Sequence, residues 1–379
     1  MSRKGKQTFL FSILMGLLLI TGNSYARELY NRNMSVRALG MGNAFTPIAR
    51  GMDALFFNPA GLAKTKEITL TALKFKIGVN GIDAYEDAQD FDGDNYADTL
   101  RQFYGDNLWI GGGAVSGIST PNFAAAIYDS FNVSADLSNP ALPSFEVDFV
   151  NDYGIATGFG MELAPGLALG FVGKRINRAG STVEIPVSSL ASLDNDDLEE
   201  QLDNRGLGYS LDVGAMMTFP TPVKPTLSFV MRDVGNTKFS LDTGIRNPPT
   251  DKSEMIGALS LELDVPGVTI TPVLEMRHIG SDEEIHIGKK LHMGVEVDLP
   301  GIDLRAGLNQ GYYTAGVALN LGIIMLDFAT YGVELGEYPG QHEDRRYVLE
   351  LTIDFGFDPA NGVFLGLNKE NRKRLKQRR

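Results

Sequence analysis

The side chains most suggestive of chemistry are carboxylates in stretches that lack a regular pattern. Asp90, Asp92 and Asp94 alternate within the stretch 83–98, which resembles the spacing of the first ligands in an EF-hand loop. Gly93 falls between these carboxylates, and no glutamate closes the loop at the required distance, so an EF-hand is excluded. A solvated acidic loop is the expectation for 83–98, and for 193–204 as well; calcium binding outside an EF-hand is the alternative.

The histidines do not form a metal site or a catalytic site by their spacing. His286 and His292 share one parity of an alternating segment, but six residues of strand separate them by about 20 Å. The sequence contains neither the G-x-S-x-G nor the H-E-x-x-H pattern. We therefore expect no catalytic residues, no bound metal and no cofactor. A membrane-embedded hydrolase built from scattered serines and histidines is the enzymatic alternative.

The first 26 residues predict export. Arg3, Lys4 and Lys6 precede an apolar run at 9–20, and small residues lead up to Ala26, as in a secretory signal peptide. The apolar run is shorter than the roughly 20 residues that a membrane-spanning helix needs. We predict cleavage after Ala26, with an uncleaved N-terminal anchor as the alternative.

The composition excludes nucleic acid as a partner and permits two interpretations of the C-terminal stretch. The formal net charge of −13 would repel nucleic acid. Cysteine is absent, so an exported protein of this kind depends on a large core or a closed structure instead of disulfides. The residues 358–379 are strongly basic. They are expected either to be a solvated periplasmic tail or to touch anionic lipid headgroups or an acidic protein.

Alternation with a period of two dominates the chain from Glu67 to Phe357. In the segment YVLELTIDFGF, which begins at Tyr347, large apolar residues alternate with small or charged ones, so each class occupies one face of a strand. The face that carries small residues also carries charges. These are Glu262, Glu275, Arg277, Lys290, Glu296, Asp298, Arg305, Asp327, Glu350 and Asp354. Pro272 interrupts one such segment and predicts a bulge or kink there.

The length of these segments and of their connections favours a membrane barrel. Strands of roughly 9–13 residues with an apolar outer face suit lipid better than a soluble sandwich, whose strands are about 5–6 residues. Tight turns recur at Pro121, Pro165, 220–225, Pro266, Pro300 and Gly322. Most intervening connections are longer, near 81–106, 135–146, 177–206, 235–253, 279–284 and 333–345. The sequence predicts an all-β, antiparallel transmembrane β-barrel of about fourteen strands over 65–357, with both mature termini in the periplasm.

Residues 27–64 do not alternate and contain a distinctive motif. The segment RALGMGNAF, from Arg37, is followed after a spacer by FFNPAGLAK. The motif positions are Gly40, Gly42, Phe45, Asn58, Pro59, Ala60 and Gly61. This pattern resembles the N-terminal segment of the FadL/PorV superfamily of outer-membrane proteins and of related sequences called TraF-like.

The resemblance implies a fourteen-stranded barrel whose N-terminal segment folds inside it as a hatch; the alternative for this segment is an ordinary turn that leads into the first strand. It implies a channel in the outer membrane for hydrophobic small molecules, with Phe56, Phe57 and Leu62 as possible ligand contacts beside Phe45. The alternative is a PorV-like scaffold or shuttle for a protein secretion system, in which a sealed lumen is structural. The inward wall offers few apolar side chains to a ligand. They are Val172, Met216, Ile256 and Ile279.

Overall fold

The computed structural model describes residues 35–80, 107–138, 144–186, 204–281, 285–358 and 363–365. The predicted signal peptide, the acidic stretches 83–98 and 193–203, and most of the basic tail lie outside these ranges.

The described residues are mostly strand. The strands are β1 (Ile68–Asn80), β2 (Asn107–Thr120), β3 (Phe123–Ser138), β4 (Ser144–Ala164), β5 (Leu167–Pro186), β6 (Arg205–Thr218), β7 (Thr226–Arg232), β8 (Phe239–Thr243), β9 (Glu254–Ser260), β10 (Leu263–Val265), β11 (Val268–Met276), β12 (Leu291–Leu299), β13 (Ile302–Asn309), β14 (Tyr312–Asn320), β15 (Ile324–Glu334), β16 (Glu343–Asp358) and β17 (Val363–Leu365). The helices are α1 (Val36–Gly40), two 3₁₀-helices (Gly51–Leu55 and Pro59–Lys64) and α2 (Ile287–Lys290). None of the described helices is long and apolar enough to cross a membrane.

The strands form one closed antiparallel barrel. Strand β1 pairs with β2 on one side and with β16 on the other, so the described sheet has no free edge between its first and last long strands. Strands β7 and β8 both pair with β6 and occupy one position; β9 and β10 both pair with β11 and occupy another. Fourteen positions therefore surround the lumen in the described residues, and β17 adds a short pairing to the end of β16. The prediction of a fourteen-stranded barrel is confirmed.

Tight turns connect the strands at one end of the barrel, at the positions that the sequence predicted. Gly166 and Gly301 each have a φ of 85°, a value that glycine adopts without the steric cost that a Cβ atom would add. Such short connections match the short periplasmic turns of outer-membrane barrels.

Three predicted segments have wrong boundaries. Strands β4 and β5 contain 21 and 20 residues, so much of 135–146 and 177–186 is strand and not connection. The alternating segment at 285–290 is not strand either, because α2 precedes β12 and His286 accepts a hydrogen bond from the Gly288 N–H. His286 and His292 are therefore on different elements.

A bulge or kink was predicted at Pro272 of β11. The interruption lies instead in the neighbouring strand position, between β9 and β10. The pairing of β11 with β12 continues through Pro272 and Val295 without a register shift. On its other side, β11 faces the break between β9 and β10, where the Leu261 N–H donates to the Pro272 carbonyl at 3.1 Å. Proline has no N–H to donate in return, so the ladder is interrupted on this side only.

The two faces of the wall differ as the alternation predicted. Large apolar side chains on the outer face are exposed, and inward charges such as Glu275, Arg277 and Asp327 are buried. Members of the outer set include Phe75, Ile110, Ile127, Ile155, Phe171, Leu211, Phe229, Leu274, Leu304, Phe328 and Leu349. An apolar outer surface around a polar interior is the arrangement that a lipid-facing barrel requires.

A charge placed on this outer face tests the membrane-facing assignment. Val213 is 43% exposed in β6, about midway along the apolar belt, whereas Leu321 is 67% exposed in a tight turn. Val213→Arg should lower the unfolding free energy in lipid vesicles by about 2–4 kcal/mol, and Leu321→Arg by about 1 or less, since the cost of an arginine depends on its depth in the bilayer. Urea titrations followed by fluorescence of the single tryptophan measure both, and equal costs would contradict the assignment.

Candidate functional site

The described part of the N-terminal segment, residues 35–64, lies inside the barrel. Its helix α1 contacts β13 to β16, and its two 3₁₀-helices contact β2 to β6. Its residues contribute much of the buried core, including Phe45 and Leu55, both 0% exposed. The segment forms no strand pairing with the wall. Its backbone polar groups must therefore find partners in turns, in its own short helices and in wall side chains.

The Asn-Pro-Ala-Gly motif forms a capped turn. The Asn58 side-chain oxygen accepts a hydrogen bond from the Ala60 N–H at 3.0 Å, and its amide group lies 3.4 Å from the Ala215 carbonyl of β6. Pro59 opens the second 3₁₀-helix, a position where its missing N–H costs nothing and its fixed φ suits the turn. A Cβ at Gly61 would lie 2.0 Å from the Ala49 carbonyl oxygen, so only glycine fits there.

A row of three wall glycines receives this turn. Gly160, Gly170 and Gly214 are directly paired across β4, β5 and β6. A Cβ at Gly170 would lie 2.3 Å from the Pro59 carbonyl, and one at Gly214 would lie 2.1 Å from the Asn58 side-chain oxygen. The missing side chains let the motif lie directly on the backbone of the wall. We call these residues the first glycine row.

A second glycine contact lies on strands β12 to β14. A Cβ at Gly42 would lie 2.3 Å from the Met293 carbonyl oxygen, and its φ is 64°. Gly294 and Gly307 are paired across β12 and β13 and leave room for the Met41–Gly42 backbone. Gly40 lies against Gly316 of β14, with its ideal Cβ 3.1 Å from that Cα. We call Gly294, Gly307 and Gly316 the second glycine group.

Polar side chains of the same strands satisfy the backbone at this second contact. Thr314 donates to the Gly40 carbonyl at 3.0 Å and accepts from the Gly42 N–H at 2.9 Å. The Nδ1 of His292 lies 3.0 Å from the Gly42 carbonyl. His292 therefore supports the segment backbone, a role that its spacing from His286 did not indicate.

A carboxylate of the wall binds the segment beside this contact. Glu296 of β12 accepts hydrogen bonds from Arg37 of the segment and from Arg305 of β13, both at 2.7 Å. Arg305 also pairs with Asp327 of β15. Glu296 is 1% exposed, so removing either arginine would leave a buried charge without its full set of partners.

A second wall carboxylate holds the turn after α1. Both the Phe45 N–H and the Thr46 N–H donate to Glu275 of β11 at 2.9 Å. Arg277 pairs with the same carboxylate at 2.8 Å and donates to the Asn43 carbonyl at 2.8 Å. The pair Glu275–Arg277 thus supplies both an acceptor and a donor to backbone that has no strand partner.

Two further wall cations reach the other half of the segment. The Nζ of Lys74 in β1 donates to Asp53 at 2.6 Å. Arg232 of β7 lies 3.4 Å from the Phe57 carbonyl and pairs with Glu254. These inward charges, seen in the sequence only as a polar face, hold the segment from several strands.

The remaining surface of the segment is apolar and aromatic. Phe45 and Phe57 pack edge to face with ring centroids 4.9 Å apart, and Phe56 packs edge to face on Tyr128 of β3 at 5.4 Å. The buried cluster also includes Met52, Leu55, Leu62, Val115, Val172, Ile176, Phe239 and Val273, with Ile48 packed against it. We call this set the aromatic cluster.

The structure places the motif residues in two groups. Gly40 and Gly42 lie at the second glycine group, and the turn from Asn58 to Gly61 lies on the first glycine row. Phe45 belongs to the aromatic cluster, as do Phe56, Phe57 and Leu62. Contact of these last three with a ligand stays a prediction. In the part of the chain that the structure describes, no group of three or more His, Asp or Glu side chains is placed to hold a metal ion.

Sequence reasoning missed the glycines of the wall. Gly160 and Gly170 lie on either side of the tight turn at Pro165. The turn alone would pair Gly160 with Phe171, and a bulge between Glu162 and Ala164 shifts the register so that Gly160 faces Gly170. The alternation shows small residues on the inner face, but it does not show which of them meet the N-terminal segment.

Comparisons with solved structures find barrels of similar arrangement. A deletion mutant described as the TodX monoaromatic hydrocarbon channel is 10% identical, with 88% of this chain and 100% of that chain covered and a TM-score of 0.49. A Pseudomonas aeruginosa FadL homologue is 10% identical, with coverages of 87% and 99% and a TM-score of 0.46. The Ralstonia pickettii toluene transporter TbuX is 9% identical, with coverages of 83% and 97% and a TM-score of 0.44. No family model and no curated protein matches the sequence.

Filling the first glycine row should displace the motif without opening the barrel. Gly170→Leu places a side chain where the Pro59 carbonyl lies, whereas Gly173→Leu, on the outer face, meets open space. In an Ala54→Cys background, whose position is 0% exposed, maleimide should label the Gly170→Leu protein at least about tenfold faster than the Gly173→Leu protein, since a displaced segment exposes that side chain. Equal labelling with intact heat-modifiable gel migration would show that the row does not hold the segment.

Removing the Asn58 cap tests whether the motif affects passage through the lumen or is needed for the barrel to fold. Asn58→Ala with Pro59→Ala removes the hydrogen bond to the Ala60 N–H, a loss of about 1 kcal/mol for a cap of this kind. The barrel should still assemble, as read by heat-modifiable gel migration, while permeability to hydrophobic compounds changes. Loss of the folded barrel would assign the motif to folding instead.

Proposed function

We propose that the protein is an outer-membrane channel for hydrophobic small molecules, with residues 27–64 as a hatch inside a barrel spanning 65–357. In this proposal the signal peptide is cleaved after Ala26 and both mature termini are periplasmic. The partners are the lipid of the outer membrane and the transported molecule. The aromatic cluster is the observation that carries the proposal.

The aromatic cluster offers a hydrophobic molecule a larger apolar surface than the other buried clusters of the described residues. Side chains of β11 to β14 that bond to the segment are charged or hydroxyl-bearing, such as Glu275, Glu296 and Thr314. The apolar contact of α1 with β15 and β16 is smaller. Between the segment and β2 to β5, the contacts are Phe56 with Tyr128 and the neighbouring aliphatic side chains. Apolar surface buried against apolar surface exchanges readily for a hydrophobic ligand, because neither partner leaves an unpaired polar group behind.

The two sides of the segment differ in how strongly they resist separation. On the side of β11 to β14, moving the segment would strip Glu275 and Glu296 of charge-assisted hydrogen bonds, each worth roughly twice a neutral one. On the side of β1 to β5, movement would separate packed rings and aliphatic groups and would break one buried ion pair, that of Lys74 with Asp53. The segment would therefore shift about its charged side, and a path would open along the aromatic cluster.

The second candidate function is a PorV-like scaffold for a protein secretion system. The buried ion pairs favour it, since the contacts of Arg37 with Glu296 and of Lys74 with Asp53 hold the segment at two walls of the barrel. A segment that never moves would make the lumen a structural core. The protein would then act through its loops or its tail.

A reversible tether separates the two functions. The ideal Cβ of Gly51, on the side that faces β2, lies 3.5 Å from the Ser119 side-chain oxygen, and the native chain has no cysteine. Gly51→Cys with Ser119→Cys places two thiols within range of a disulfide. In whole Gram-negative cells, oxidation should reduce uptake of radiolabelled toluene or oleate to near background, and reduction should restore it, because the closed hatch cannot shift.

The single cysteine variants are the controls, since each carries the same side-chain change without the bond. Uptake that is unaffected by the closed disulfide would overturn a moving hatch. If uptake is absent in every variant, including the native chain, while a secreted protein co-purifies with the barrel, the scaffold function replaces the channel.

A further inference from the structure

We propose that a phosphorylated headgroup of an outer-leaflet lipid binds the outer face of the barrel between Arg175 of β5 and Lys238, with Tyr209 of β6 between them. The inference rests on the placement of the barrel in the outer membrane and is independent of any transport through its lumen.

The strand register brings these three residues into one row. Arg175 is paired with Tyr209 across β5 and β6. Gly208 is paired with Phe239 at the start of β8, so Lys238 lies beside Tyr209 on the other side. All three side chains are exposed, and Tyr209 is 69% exposed. Adjacent strands are about 4.8 Å apart, so the two cations flank the tyrosine within a span of about 10 Å.

The row lies at the upper edge of the apolar belt. Below it, towards the tight turns, β6 presents Leu211, Val213 and Met217 outward. Arg175 is eight residues from Leu167, where β5 begins, which corresponds to roughly 20 Å along the barrel axis for a tilted strand. Since the apolar band of such barrels is about 25 Å tall, Arg175 is at the level where acyl chains give way to headgroups.

Aromatic side chains mark the same level. Tyr153 of β4 is 53% exposed and lies one step closer to the long loops than the row. Its partner across β5 is Asn177, which donates to the Tyr153 carbonyl. Exposed tyrosines followed by polar side chains are typical of the aromatic girdle at a membrane interface.

The two cations have no carboxylate partner among the described residues. No ion pair or hydrogen bond of their side chains is found in that part of the chain, whereas cations at the other end, such as Lys224 with Glu262, are paired. Asp129 of β3 lies two strands from Arg175 and one step closer to the long loops. Arg205 lies four residues beyond Tyr209 but has Asp242 nearby in β8, so it is not assigned to the site.

Phosphate is the chemistry that fits this arrangement. An unpaired guanidinium at the edge of lipid is costly, and a phosphate accepts its hydrogen bonds in pairs. The ammonium of Lys238 supplies a second positive charge, and the Tyr209 hydroxyl supplies a donor at headgroup level. A lipid source is favoured over free phosphate because the row continues directly into an apolar surface on which acyl chains can pack.

The test uses the purified full-length barrel in detergent, titrated with bisphosphorylated lipid A and followed by native mass spectrometry. Arg175→Gln with Lys238→Gln should weaken binding by roughly thirtyfold, because each basic residue near an anionic lipid contributes about a factor of five. The control is Lys66→Gln with Lys224→Gln, which removes the same charge at the tight-turn end and should leave the affinity within about twofold. Heat-modifiable gel migration reports folding of each variant.

Three results with lipid A would overturn the proposal, and a fourth comes from competition with phosphate. They are unchanged affinity in the Arg175 and Lys238 variant, an equal loss in the control variant, and equal binding of lipid A from which both phosphates have been removed. Displacement by millimolar inorganic phosphate alone would assign the site to the free anion and would equally overturn a lipid site. Uptake of hydrophobic compounds is measured in a separate experiment. The lipid-binding results can therefore be interpreted even if the channel proposal fails.

Discussion

Backbone without a strand partner must still be paired when it is buried, and this constraint shapes the interior of the barrel. The segment 35–64 crosses the lumen in short helices and turns, so the wall has to supply what a neighbouring strand would normally supply. Thr314, Glu275 and Arg232 each bond directly to its N–H or C=O groups. These inward polar side chains are therefore explained by the segment that they contact, whereas others, such as Lys174 with Asp212, pair within the wall.

The segment backbone must also approach the backbone of the wall closely. The first glycine row and the second glycine group lie on different parts of the wall, and each receives a turn of the segment that itself contains glycine. A side chain on either surface would push the backbones apart and lengthen the polar contacts beside them. Glycine has a low propensity for strands. Its missing side chain leaves a flat surface on the wall, on which non-strand backbone can lie.

Polar and apolar contacts are distributed unevenly around the segment. Glu275 and Glu296 hold the side of β11 to β14, and the aromatic cluster lies towards β2 to β5, where Lys74 of the neighbouring β1 pairs with Asp53. In the proposed channel, this asymmetry would let the aromatic side open while the other side stays bonded. On the outer face, the apolar belt places the barrel in lipid, and the row from Arg175 to Lys238 lies where that belt ends.

The sequence by itself determined the barrel, because alternation and tight turns are local signals. The period of two assigned each residue to a face, and the turns at Pro165 and Pro300 set the number of strands. The resemblance around Asn58 also indicated an interior segment. Local signals failed where a distant partner decides the outcome, as at 285–290, where Lys289 donates to the Gly336 carbonyl and the chain forms a short helix.

Only the tertiary structure decided which inward residues meet the segment. Gly160 pairs with Gly170 within one hairpin, but that this row lies under Pro59 depends on closure of all the strands around the lumen. Likewise, the bond from Thr46 to Glu275 joins residues more than two hundred positions apart. The alternation of a strand specifies the face on which a side chain lies, and closure of the barrel specifies what that side chain touches.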